Sequence, residues 1–146
     1  MREDNVSEDN ISQEPPPDLW RADPVLARNN WTQAKSDLAT AVTLLDAGIY
    51  YAAVFWSQQA AEKSLRAACI ERTRNNPPGH DLLASAHSLA APPLVVSAAA
   101  TLNAEFHRTR SAEYAHGVPA HLYDRDTARQ HLAAARAIVD WARGLM

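Results

Sequence analysis

From about residue 30 onward, apolar positions recur at three- and four-residue steps, the period of a helix with one buried face. Trp31, Ala34, Leu38, Ala41/Val42 and Leu45 form a first stripe, with Asn29 or Asn30 placed to cap its start and Gly48 to end it. A second stripe runs from Ile49 to about Arg74 on Val54/Phe55, Gln58, Ala61, Leu65 and Ala68/Cys69, and Asn75-Asn76-Pro77-Pro78-Gly79 stops it. Gly48 leaves only a short turn between the two helices, so they are expected to lie antiparallel. Asp81 or His80 opens a short helix to Ala90, and Pro92 and Pro93 suit the first turn of a longer one, where a missing N–H costs nothing. Its apolar face is Val95, Ala98/Ala99, Leu102 and Phe106, and after Arg110 the pattern dissolves into Ser111–Tyr123. Asp124 or Asp126 then caps a last helix with Ala128, Leu132, Ala135, Ile138/Val139, Ala142 and Leu145 on one side. No segment alternates with period two over strand length. The pattern predicts an all-α, up-and-down four-helix bundle with one additional short helix over residues 28–146, behind a tail of residues 1–27.

Composition strengthens the helical reading. Of 146 residues, 29 are Ala and only 4 are Gly, so the best helix former is abundant and its main loosener scarce. The length fits one domain. The tail is acidic, with four of the nine prolines between Pro15 and Pro24. It is expected to be disordered, with Trp20 as the one residue suited to dock on the body. Net charge is −3, but the average hides an asymmetry. Residues 1–24 carry seven acids and two arginines, whereas the remainder carries ten acids and twelve bases. The body is therefore mildly basic, and since 12 of the chain's 14 bases are Arg, a phosphate-bearing partner stays open. Cys69 is the single cysteine, which excludes a disulfide framework and a Cys-based structural zinc site. The stretch Ala84–Leu102 is broken by His87, Ser88 and Pro92-Pro93, so no membrane span is expected. The acidic, polar start does not read as a secretory signal, and a cytoplasmic protein is expected.

Four stretches carry a family likeness: Trp31…Asp37-Leu38…Ala41, Gly48-Ile49-Tyr50-Tyr51-Ala52-Ala53, Gln58-Gln59-Ala60-Ala61-Glu62-Lys63-Ser64-Leu65, and His80-Asp81-Leu82. In that order and spacing the chain resembles the HEPN domain (higher eukaryotes and prokaryotes nucleotide-binding), of the small stand-alone prokaryotic type, over about residues 28–145. The resemblance implies a helical homodimer, a toxin-type partnership with a minimal nucleotidyltransferase as antitoxin, and RNA or nucleotide as ligand. In active branches it implies a metal-independent endoribonuclease built on an Arg followed four to six residues later by a His; other branches are non-catalytic nucleotide-binding or protein-interaction modules.

Arg110-Ser111-Ala112-Glu113-Tyr114-Ala115-His116 meets that spacing. A His near neutral pKa suits proton transfer at a ribose 2′-OH or a leaving oxygen, and an Arg fork suits the phosphate, so Arg110 and His116 are the catalytic candidates. Thr109-Arg110 also match the Thr-Arg-Tyr-Pro-Asp run of the subgroup this chain otherwise resembles, and Ser111-Ala112-Glu113 depart from it. Arg108 and Arg125 add positive charge around the loop, and Tyr114 or Tyr123 is suited to stack on a base. Gln58 and Glu62 lie on one side of the second helix, either as part of a nucleotide or RNA pocket or as internal braces of the bundle or of a dimer seam. Glu62 and Arg66 are spaced as a helical ion pair, and Arg125 and Arg129 are placed to pair with Asp124 or Asp126. His80 and His87 have no partners at metal spacing, so no metal site is expected, and without a glycine-rich phosphate loop no cofactor is expected.

Overall fold

The computed structural model describes residues 23–146. The acidic tail through residue 22, with Trp20, lies outside the described residues. The first helix, α1 (Pro24–Asp46), starts well before Trp31. Asp23 caps it, its carboxylate accepting from the Leu26 N–H at 2.8 Å, and Pro24 takes the first helical position. Asn29 and Asn30 are therefore interior residues and not caps; the Asn30 amide donates back to the Leu26 carbonyl at 3.0 Å. Wholly buried Ala27 extends the stripe of Trp31 and Ala34 back by one turn, and a lone alanine is too faint a signal against the polar run Arg28-Asn29-Asn30 that follows it. Gly48, at φ +77°, reverses the chain, and the Ile49 N–H reaches the Leu44 carbonyl at 2.9 Å.

α2 (Tyr50–Thr73) is the axis of the molecule. Most of its residues from Ala53 to Ile70 are buried, on every side and not on one stripe. It packs on α1 and on the last helix, so its contact faces are built from Ala53, Ala60, Ala61, Ala67 and Ala68, which let neighbouring backbones approach closely. Ser57 and Ser64 return their hydroxyls to the Ala53 and Ala61 carbonyls and so carry no unpaired polar atom inward.

α3 (Leu82–Ser88) is capped by Asp81, whose carboxylate accepts from the Ala84 N–H at 3.1 Å. α4 (Pro93–Asn103) begins on Pro93. The helix expected to continue to Arg110 is interrupted at Ala104 and resumes as α5 (Glu105–Arg108). At the break the Asn103 side chain takes the Leu82 N–H at 2.8 Å, tying the end of α4 to the start of α3. α6 (Ala112–Ala115) and a 3-10 turn (Pro119–His121) follow, single turns too short to show periodicity. α7 (Arg125–Arg143) is capped by Asp124, not Asp126, through the Thr127 N–H at 2.8 Å. The described residues form an all-α bundle without strands, and none of the helices is long and apolar enough to cross a membrane.

The core gathers Ala61, Leu65, Leu82, Val95, Leu102 and Ile138 from α2, α3, α4 and α7. One charge is buried between α1 and α2: Asp37, 1% exposed, pairs with Lys63 at 2.5 Å and takes a hydrogen bond from Gln33 at 2.8 Å. Lys63 also passes its ammonium over the Trp56 ring. Removing one partner of such a pair strands the other in the interior, so Lys63→Ala should lower the unfolding free energy by about 3 kcal/mol in urea titrations. A loss no larger than that of an exposed Lys35→Ala control would show that Asp37 is satisfied without Lys63.

Candidate functional site

The candidate residues gather where α2, the start of α3, α5 and the loop after α5 meet. Phe55, Gln58 and Glu62 share one side of α2 at steps of three and four. Glu62 Oε1 meets His80 Nδ1 at 2.6 Å, and the His80 ring lies flat on Phe106, centroids 3.4 Å apart and planes 14° apart. With that face of Phe106 covered, Arg110 takes another side of the ring, its Cζ 4.0 Å from the Phe106 centroid and 4.6 Å from that of Phe55. Glu62, His80, Phe106, Arg110 and Phe55 thus form one continuous stack, although they come from three separate stretches of sequence. Arg110 is exposed and engages rings only; its side chain has no hydrogen bond or ion pair among the described residues.

Beneath the loop sits a second, buried cluster that the sequence pattern did not announce. Glu105, 2% exposed, accepts from the Tyr123 hydroxyl, from His131 Nε2 at 3.2 Å and from Arg108 Nη1 at 3.3 Å. His131 Nδ1 lies 2.7 Å from the Thr127 carbonyl, which can only accept. Nδ1 therefore carries a proton and Nε2 faces the Glu105 carboxylate, an arrangement that favours the protonated imidazole. Burial alone would push the His131 pKa down, but the hydrogen bonds to Glu105 and to the Thr127 carbonyl prevail and raise it. Burial likewise works to raise the Glu105 pKa, and the bonds from His131 and Tyr123 reverse it to a net lowering. The Tyr123 phenol is pushed far up, first by burial and then by the carboxylate beside it.

The structure sorts the predicted residues plainly. Arg110 and Glu62 join the aromatic stack, exposed Arg110 on its rings and buried Glu62 through His80. The expected Glu62–Arg66 pair does not form, because His80 takes the carboxylate while Arg66 donates to Asn76 and the Gly79 carbonyl at 3.1 Å each. His116 is exposed at the left-handed end of α6, φ 53°, and no contact among the described residues joins it to Arg110. Tyr114 is 61% exposed and stacks on His107 with centroids 4.6 Å apart. Tyr123 is in the core beside Ala53, Val54 and Ala128, so its ring is closed to a base and its hydroxyl serves Glu105. Gln58 is buried too: its Oε1 accepts from Gln59 at 2.7 Å and its Nε2 has no partner. Arg108 gives one nitrogen to Glu105, and Arg125 is exposed at the first position of α7. Asp124 acts as the α7 cap, and neither Arg125 nor Arg129 has an ion-pair partner among the described residues. No group of three or more metal-type ligands converges among the described residues.

A family profile described as the HEPN domain matches residues 27–145. The fold is similar to the crystal structure of TT1696 from Thermus thermophilus, with 31% identity, a TM-score of 0.76, and 82% of this chain and 98% of that one covered. It is similar also to the crystal structure of ST0689, an archaeal HEPN homologue, at 28% identity and a TM-score of 0.70, over 81% of this chain and 95% of that one. None of the curated proteins compared matches the chain.

The Glu105–His131 pair gives a defined pH response. The carboxyl is depressed below its ordinary 4.5, so its share of stability is present above that value and lost as pH falls through the folded pKa. The imidazole is raised above its ordinary 6.5, so its share is complete below that value and lost as pH rises through the folded pKa. Thermal unfolding should therefore show a midpoint that falls as pH rises above about 6.5, and His131→Gln should flatten that limb. An unchanged slope in His131→Gln would mean that other groups set the alkaline limb.

Proposed function

The chain belongs to the HEPN domain family, and on that footing we propose that its Arg110 loop binds RNA and, with His116 as proton carrier, cleaves it without a metal ion. The observation that carries the reading is the state of Arg110. Two aromatic rings hold the guanidinium in place while leaving all of its N–H donors unspent. A planar fork so placed suits the non-bridging oxygens of a phosphodiester and the charge that grows on them in the transition state. His116, exposed on the same loop, takes the proton of the ribose 2′-OH. The 2′ oxygen then bonds to phosphorus, the bond from phosphorus to the next nucleotide's 5′ oxygen breaks, that oxygen takes a proton from water, and His116 returns its proton to the hydroxide left behind. The products are a 2′,3′-cyclic phosphate and a 5′-hydroxyl end.

Within one chain Arg110 and His116 are not in contact, so the reading includes a homodimer that brings two loops to one phosphate. The exposed apolar side chains of Tyr114, Val118 and Leu122 on this loop support burial against a second copy. The proposed setting is toxin-type, with a minimal nucleotidyltransferase as restraining partner. A second reading, a non-catalytic nucleotide- or RNA-binding module, is favoured by the same separation of Arg110 from His116.

Single-stranded RNA incubated with purified protein in EDTA should be cut to cyclic-phosphate ends, and Arg110→Ala and His116→Ala should each slow cutting by about 100-fold or more. A wild type that binds RNA without cutting it, with binding lost in Arg110→Ala alone, selects the binding module. A wild type that neither binds nor cuts ends both readings.

A further inference from the structure

The loop from Arg110 to Leu122 contains no buried residue, and its only regular structure is two single turns. A stretch of that length with nothing in the core has little of its own to fix its path. Its two flanking residues are both buried, Thr109 at 5% and Tyr123 at 9% exposure, and both are tied to the same residue. The Thr109 hydroxyl and N–H donate to the Glu105 carbonyl at 2.6 and 3.2 Å. The Tyr123 hydroxyl donates to the Glu105 carboxylate, which His131 of α7 holds from the side at 3.2 Å. We propose that Glu105 is a positioning residue: its carbonyl holds the entrance of the Arg110–Leu122 loop, its carboxylate holds the exit, and together they set where Arg110 and His116 stand.

The functional part of this inference rests on the reading of Arg110 and His116 as the site. The mechanical part rests on hydrogen bonds alone. Arg108, two residues before Arg110, is the other charge facing the carboxylate, at 3.3 Å within α5. If Glu105 were merely a paired charge in the core, weakening it would loosen α2 and α7 as much as the loop.

Amide hydrogen exchange on the full chain separates these cases. Tyr123→Phe keeps the ring among Ala53, Val54 and Ala128 and removes only the hydroxyl donor. Amides of residues 110–122 should then exchange roughly ten-fold faster or more, with those of α2 and α7 changed less than about two-fold. Glu105→Gln, which retains the Thr109 bonds and an acceptor for Tyr123, should produce the same pattern more weakly. Unchanged loop exchange in Tyr123→Phe, or an equal rise along the whole chain, overturns the clasp. RNA affinity is measured on the same samples. If the wild type binds RNA and a loosened Tyr123→Phe binds it as tightly, the positioning role is overturned. If the wild type binds no RNA, the Arg110–His116 reading falls, and the exchange pattern alone decides the clasp.

Discussion

Everything in this bundle is arranged around a helix that has no free side. An amphipathic surface helix needs only one apolar stripe, but α2 is enclosed by α1 and α7 and touched by the shorter elements at its remaining edge. A helix in that position must be thin where neighbours cross it and must find partners for the polar groups it carries inward. Alanine and self-bonded serine meet the first demand. Gln59 donates to Gln58 and Glu62 reaches His80, while Gln58 Nε2 is the one buried side-chain donor left without a partner among the described residues. The alanine excess of the sequence is thus a geometric requirement of central placement as well as a helix preference.

Two buried carboxylates then fix how the surrounding pieces sit. Asp37 with Lys63 fastens α1 to α2, and Glu105 with His131 fastens α5 to α7. Neither pair is an efficient source of stability, since each charge loses its hydration. Each nevertheless discriminates between alignments, because a helix slid by one residue would leave a charge facing apolar side chains. A core made largely of alanine offers few large side chains to lock one helix against another, and in such a core directional pairs supply the alignment that knobs of leucine would otherwise provide.

Most of the fold was legible in the periodicity, and the exceptions have specific causes. The α1 start was hidden because Ala27 alone is fully buried there, followed by the polar run Arg28-Asn29-Asn30. The site was less legible. Glu105 falls three residues after Leu102, beside Phe106 in the apolar stripe that begins at Val95, and His131 falls between Ala128 and Ala135 in the α7 stripe. Gln58 stands out as a polar residue in an apolar stripe, and the same test applied to Glu105 and His131 finds the second cluster. The aromatic stack is a different matter. Phe55, His80, Phe106 and Arg110 are spread over three distant stretches of the chain, so no local spacing announces their contact. Tyr123 read as a base-stacking residue because of the positive charge around its loop; its ring packs instead on Ala53, Val54 and Ala128 while its hydroxyl serves Glu105.

The contrast between two arginines two residues apart bears on how the loop is built. Arg108 faces a buried carboxylate, and much of its attraction for an incoming anion is cancelled there. Arg110 faces the electron-rich faces of Phe55 and Phe106, which orient a cation without neutralising it or occupying its N–H groups. A cation held by rings keeps its formal charge and its fork for an oxyanion, and the charge-assisted bonds an oxyanion offers are stronger than the ring contacts it would disturb. The mildly basic body therefore need not act through its total charge. One arginine gives a nitrogen to a carboxylate of its own helix, and the next is left oriented and unspent, which is the condition a phosphate site requires.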